Sequence, residues 1–445
     1  MKKPSTLILK KTLFVSIICL LFLPIIQQQV KLIKLVPLSG YFTPIEQSSF
    51  SLETWFEGEY QTNKQDYLND KIGFRPLFIR LYNQVYYTFF NLARANGVII
   101  GKENYLYEEN YIKAYLGSDF IGHHQIIEKV NKLQKISDTL LTKGIDIIVV
   151  LAPGKASFYP EFIPEKYNPK NRSTTNYEIY REKIGQSKIL LLDFHQWFRE
   201  MKATSPYPLF PKTGIHWSKY GEVLAADSII QYINSYKKNK KIPIIITDHI
   251  ETSTNMRDTD DDIERGMNIL ENITDLEMGY PQFNIQKGNH IDNPKVLTIA
   301  DSYYWGMFNW GLSKNAFKDG QFWFYNQQIY PDSYQDPINV DDINIRKEVE
   351  KNDVILLIST DANLYKFAFG FIDVLYDSYF NSNKNSIKEK RKREERVLFY
   401  INSIKNTPEW MESLKKQAKE EKTLIEDVIK KNAEYMVWEE ENKKT

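Results

Sequence analysis

Cysteine is almost missing from this 445-residue chain: one is present, Cys19, and it lies inside an apolar run near the N-terminus. The rest of the chain therefore has no disulfide, no cysteine-ligated metal and no thiol nucleophile. The bulky residues before Cys19 in "SIIC" also make a poor lipidation signal. Histidine is scarce too, with six in all. His123 and His124 are adjacent and so point to different faces of a helix, and no H-x-x-x-H spacing accompanies them, so no metal site is expected. A surplus of charge is lacking, since 58 basic and 57 acidic residues leave a net +1. Basic-aromatic interleaving is absent as well, and nucleic acid is not an expected partner. No glycine-rich phosphate loop is evident and no cofactor is expected. "RDTDDDIERG" fails as a calcium loop because Ile263 occupies the position that must be glycine, and it reads as an acidic first turn opening a helix.

What is present begins with "MKKPSTLILKKTLFVSIICLLFLPIIQQQV", four lysines before an apolar run from Thr12 to Ile26. That is the order of a secretory n-region and h-region. No small-x-small cleavage site follows, so an uncleaved anchor is expected, and the positive-inside rule puts the bulk of the chain outside the cytoplasm. Four segments are expected: 1–30 as membrane anchor or signal segment, 31–95 as a helical lead-in, 96–380 as the main domain and 381–445 as a charged helical extension.

Within the main domain, short β-branched runs at 144–153, 187–194, 295–302, 321–326 and 353–360 alternate with amphipathic stretches. Among the latter are "HHQIIEKVNKLQKISDTLLTKG", "KYGEVLAADSIIQYINSYKK" and "DDINIRKEVEKN". Apolar strands separated by amphipathic helices predict an α/β fold with a parallel sheet covered by helices on both faces. Residues 238 to 294 hold little strand signal.

Chemistry in open α/β sheets gathers at the carboxyl ends of strands. "VLTIADSYYWGMFNWG" delivers Asp301 and Ser302 where an apolar strand gives way to a helix-like segment, a place that suits either a nucleophile or a simple cap. "TGIHWS" puts His216 at a loop-to-helix boundary, where it reads either as a satisfied boundary residue or as a base, neutral imidazole being the side chain best tuned to activate a serine near pH 7. Tyr325 and Asn326, at the end of "QFWFYN", could donate to a developing oxyanion or close a turn. Lys155 follows the "VVLAPG" strand and could meet an anionic sugar or simply be solvated. Arg75, in "GFRPLF", reads as a buried or capping ion-pair residue rather than a substrate contact.

"YLNDKIGFR", "VIIGKENYLYEE", "LAPGKASFYPEFIP", "TGIHWSKYG" and "IADSYYW", in this order, resemble the SGNH hydrolase-like proteins of the alginate O-acetylation type, the AlgX/AlgJ-like family. The likeness covers roughly residues 50 to 375. It implies a flavodoxin-like parallel sheet in which the histidine motif precedes the serine motif. It also implies an extracytoplasmic serine O-acetyltransferase or acetylesterase acting on a cell-surface or secreted polysaccharide, with a membrane-embedded acyl-transfer partner. By this resemblance Ser302 matches the nucleophile and His216 the base. The family pattern Asp-x-His-Trp reads Gly214-Ile215-His216-Trp217 here, so the orienting carboxylate is missing, and Asp193 at another strand end is a candidate substitute. The other reading is a catalytically weakened domain that binds polysaccharide or scaffolds an exopolysaccharide export complex.

Overall fold

The computed structural model describes residues 4–40, 45–237, 242–273, 276–286, 293–381, 387–421 and 423–442. These form two compact units, Met1–Ile100 with Asp261–Thr274, and Gly101–Asp260 with Asp275–Thr445.

In the first unit, α1 (Pro4–Val30) contains the stretch Ile8–Val30, which is long and apolar enough to cross a membrane. Beyond it comes α2 (Arg75–Phe90), with proline in its first turn, where a missing N–H costs nothing, and with Asn91 in the left-handed conformation closing its end. Arg75 lies 3.8 Å from Asp70, a half-buried ion pair at the start of that helix. The buried Asn83 amide donates 2.8 Å to the Met267 carbonyl and so ties α2 to the 261–274 segment of the same unit.

The second unit is built on a six-stranded sheet. Its strands are β1 (Asp146–Ala152), β2 (Leu190–Asp193), β3 (Val296–Ala300), β4 (Phe322–Phe324), β5 (Gln328–Tyr330) and β6 (Val354–Thr360), in the spatial order β2-β1-β6-β3-β4-β5. All neighbours run parallel except the β4–β5 hairpin at one edge. Its helices include α3 (His123–Leu141), α4 (Asn176–Gly185), α5 (Phe194–Met201), α6 (Lys219–Tyr236) and α7 (Phe371–Phe380). On β1, Ile147, Val149 and Leu151 join a core with Leu133 and Ile136 of α3, Tyr180 of α4 and Leu375 of α7. Ile148 and Val150, which alternate with them, are just as buried. A strand with both faces dry must be continuously apolar, which is why its sequence reads as a run.

Two features depart from the sequence-based expectation. "DDINIRKEVEKN" forms only a short helix, Ile345–Val349. The 238–294 region holds a long antiparallel ribbon, Ile244–Ser253 paired with Met278–Gln286. Its first strand is nowhere fully buried and carries polar residues, and Pro281 and Gly279 interrupt the second, so neither run shows the usual strand signature. After the sheet, α8 (Ile387–Asn406), α9 (Pro408–Glu421) and α10 (Ile425–Asn442) pack around a small core of their own, with Ile404, Leu414, Val428 and Ala433 buried.

Candidate active site

β3 is buried throughout and ends at Ala300. Asp301 continues it in extended geometry, and its Oδ1 accepts from the Tyr303 N–H at 3.2 Å, which caps the single 3-10 turn Ser302–Tyr304. Its Oδ2 accepts from the Thr360 N–H at 2.9 Å, the Thr360 hydroxyl at 2.8 Å and the Asn363 amide at 2.9 Å. Asp301 is fully buried, so the end of β6 holds the turn that presents Ser302, which is itself half-buried. Sequence reasoning missed Thr360 and Asn363, which lie about 60 residues downstream and meet Asp301 only because β3 and β6 are neighbours.

His216 stands 3.0 Å from Ser302, Nε2 to Oγ. The loop that carries it is pinned along its length. Lys155, buried after β1, donates to the Gly214 carbonyl and at 3.1 Å to that of Lys212. The Tyr303 hydroxyl donates 2.9 Å to the Ile215 carbonyl, and its ring lies 5.0 Å from the imidazole and 5.1 Å from the buried Trp217. Ser218 then caps α6 by accepting from the Gly221 N–H at 3.1 Å. One turn into α6, Glu222 accepts from the Trp310 indole at 2.7 Å, and Gly306 leaves room for that carboxyl group. The segments that carry serine and histidine are thus clamped to each other on both sides of the contact. Tyr303 and Glu222 were visible in the sequence but carried no signal of this role.

The remaining expected residues fall in different places. Tyr325 lies beside the pair. Burial pushes its phenol up to about 12, while the nearby Ser302 and Asn363 side chains act in the opposite direction. Asn326 is buried and its amide donates 3.1 Å to the Phe369 carbonyl, so it supports the hairpin and does not face Ser302. Lys155 spends its ammonium on loop carbonyls, so it holds the histidine loop where the sequence reading put a sugar contact. Asp193 caps α5 through the Gln196 N–H and also accepts from Tyr177 and from Arg181 at 2.7 Å. It does not orient His216. Among the described residues no group of three or more His, Cys, Asp or Glu is placed to hold a metal ion.

Gly214 owes its identity to packing. A side-chain carbon there would sit 2.5 Å from the Thr259 carbonyl oxygen and 2.6 Å from that of Asp260, closer than real contacts allow. The Asp258–Asp260 stretch therefore crosses the place where an aspartate of the family pattern would begin.

Residues 98–255 match the profile of the SGNH hydrolase-like domain of the acetyltransferase AlgX. That span includes Lys155 and His216 and ends before Ser302. The probable alginate O-acetylase AlgJ of Pseudomonas fluorescens is 22% identical over 182 residues, 40% of this chain and 44% of that protein. Its counterpart in Azotobacter vinelandii is 22% identical over 165 residues, 37% of this chain and 40% of that protein. The matches thus span less than half the length of these relatives. Among solved structures, the O-acetyltransferase domain of Pseudomonas putida AlgJ aligns with 63% of this chain and 99% of its own at 17% identity and a TM-score of 0.42. Bacillus cereus PatB1 aligns with 56% of this chain and 93% of its own at 11% identity and a TM-score of 0.35. The chain is thus similar to the SGNH hydrolase-like proteins of the AlgX/AlgJ type, with the sequence profile matching across residues 98–255.

Proposed function

We propose that this protein is an extracytoplasmic serine O-acetyltransferase or acetylesterase that acts on a cell-surface or secreted polysaccharide and is held at the membrane by α1. The observation that carries the reading is the 3.0 Å contact between His216 Nε2 and Ser302 Oγ, on two segments clamped to each other. At that distance a neutral imidazole can accept the hydroxyl proton as the oxygen attacks. Ser302 Oγ forms a bond to the acetyl carbonyl carbon, its proton passes to Nε2, and the carbonyl π electrons move to the oxygen. Collapse of the tetrahedral adduct expels the donor's oxygen, which takes the proton from His216 and leaves acetyl-Ser302. In the second half, a sugar hydroxyl or water gives its proton to Nε2, attacks the same carbon, and releases Ser302 Oγ, which recovers the proton. The Ser302 N–H and the Tyr325 hydroxyl would donate to the developing oxyanion. A membrane-embedded acyl-transfer partner would supply the acetyl group, as the resemblance implies.

The test is turnover of a small acetyl ester by the full-length chain. Ser302→Ala and His216→Ala are each expected to lower kcat by about 10³-fold or more, the scale on which a serine and its base act as a unit. Unchanged turnover in either variant would leave the binding or scaffolding reading in its place.

A further inference from the structure

A cleft of about 720 Å³ runs between α3 and the 361–370 segment on one side and α8 and α10 on the other. Tyr325 lines it, and its N–H donates 2.9 Å to the carbonyl of Ala300, two residues before Ser302, so the cleft adjoins the nucleophile turn. Its walls are aromatic and evenly charged. The Lys366 ammonium lies 4.9 Å from the Tyr325 ring, 5.5 Å from that of Tyr365 and 5.8 Å from that of Phe369. Phe399, on the α8 wall, is 64% exposed. Lys129 and Lys132 are paired with Asp373 at 3.7 and 2.8 Å, and Lys132 also with Glu128 at 3.0 Å. Lys366, Arg393 and Lys430 are matched by Glu394, Glu395 and Glu434.

A polyanion would gain little from such a lining, because its five cations are balanced by five carboxyl groups, while stripping water from the polyanion would still cost free energy. Sugar hydroxyls both donate and accept, so a mixed polar lining satisfies them, and the exposed Phe399 ring can cover the apolar face of a pyranose. We propose that this cleft binds a neutral, hydroxyl-rich glycan chain, the acetyl acceptor, and that the C-terminal helices form one wall of the binding site. The role as acceptor rests on the acyl-transfer reading of Ser302; the binding itself does not.

Calorimetric titration of the full-length Ser302→Ala protein tests it without turnover. The probes are neutral hexasaccharides of glucose, mannose and N-acetylglucosamine, and a hexamer of mannuronate. At least one neutral hexamer is expected to bind with a sub-millimolar Kd, with the uronate at least tenfold weaker. Phe399→Ala, at an exposed site where the fold is not at stake, is expected to weaken neutral binding at least fivefold. Failure of every neutral hexamer to bind, equal or tighter binding of the uronate, or no effect of Phe399→Ala would each overturn the proposal. Binding by this variant, set against an inactive wild-type protein, would remove the transfer reading and leave the cleft standing.

Discussion

Gly214 sits two residues before His216, and the chain at Thr259 and Asp260 passes too close to it for any side chain. Restoring the aspartate of the family pattern therefore overpacks the loop and does not orient the imidazole. Gly214→Asp is expected to lower stability by about 1–3 kcal/mol, the usual range for overpacking, and to give no gain in esterase rate. Thermal denaturation and ester hydrolysis measured on the same preparation check both parts. Asp301 has the opposite situation, a buried side chain with four donors converging on its two oxygens. Asp301→Ala strands the Thr360 and Asn363 donors in the core and is expected to cost about 3 kcal/mol, read from denaturant unfolding.

Among the elements, the β4–β5 hairpin holds both Tyr325 and Asn326 at positive φ, 50° and 51°. Neither residue is glycine, and such strain persists only where surrounding contacts enforce it. Here the Tyr325 N–H donates 2.9 Å to the Ala300 carbonyl and Asn326 is anchored on Phe369, so the turn projects the phenol beside Ser302. Tyr325→Phe keeps the turn and removes the donor. It is expected to lower kcat roughly tenfold to a hundredfold with an unchanged Tm, a smaller loss than a dedicated oxyanion donor shows.

The loop before α3 holds Asp119, which is pushed up to about 7 by burial and by the Asp361 carboxyl, against the pull of Lys405. Its folded pKa exceeds the ordinary 3.8, so the folded state binds the proton more tightly. Stability is then lost as pH rises from about 4 through about 7, by up to about 4 kcal/mol, and stays level above that. Asp119→Asn is expected to remove this slope, raising Tm at pH 8 and changing it little at pH 4. A wild-type slope that survives in the variant would refute the assignment.

For the molecule as a whole, the apolar stretch Ile8–Val30 and the lysines before it predict an exported chain that stays with the membrane. Fractionation is expected to recover the full-length protein in membranes washed with high salt and to release it with detergent. A soluble product starting after residue 26 would contradict retention.

The apolar N-terminal stretch, the strands at β1, β3 and β6, and the helices α3 and α6 were legible because each follows from local pattern. A strand buried on both faces must be a nearly continuous apolar run, and a helix covering a sheet must repeat its apolar residues every three or four positions. Ser302 and His216 were legible as a strand end and a loop-to-helix boundary, and a family resemblance suggested their partnership. Tertiary structure alone decided what lies around them, because those contacts cross the sheet between residues far apart in the chain. Asp301 meets Thr360 and Asn363 across β3 and β6, Lys155 reaches the carbonyl of Gly214, and Tyr303 that of Ile215. Local pattern likewise could not separate Asp193 the helix cap from Asp193 the orienter of a histidine, since both roles require only a carboxyl group at a strand end. It could not explain the glycine either, because the chain that fills its side-chain space lies more than 40 residues away.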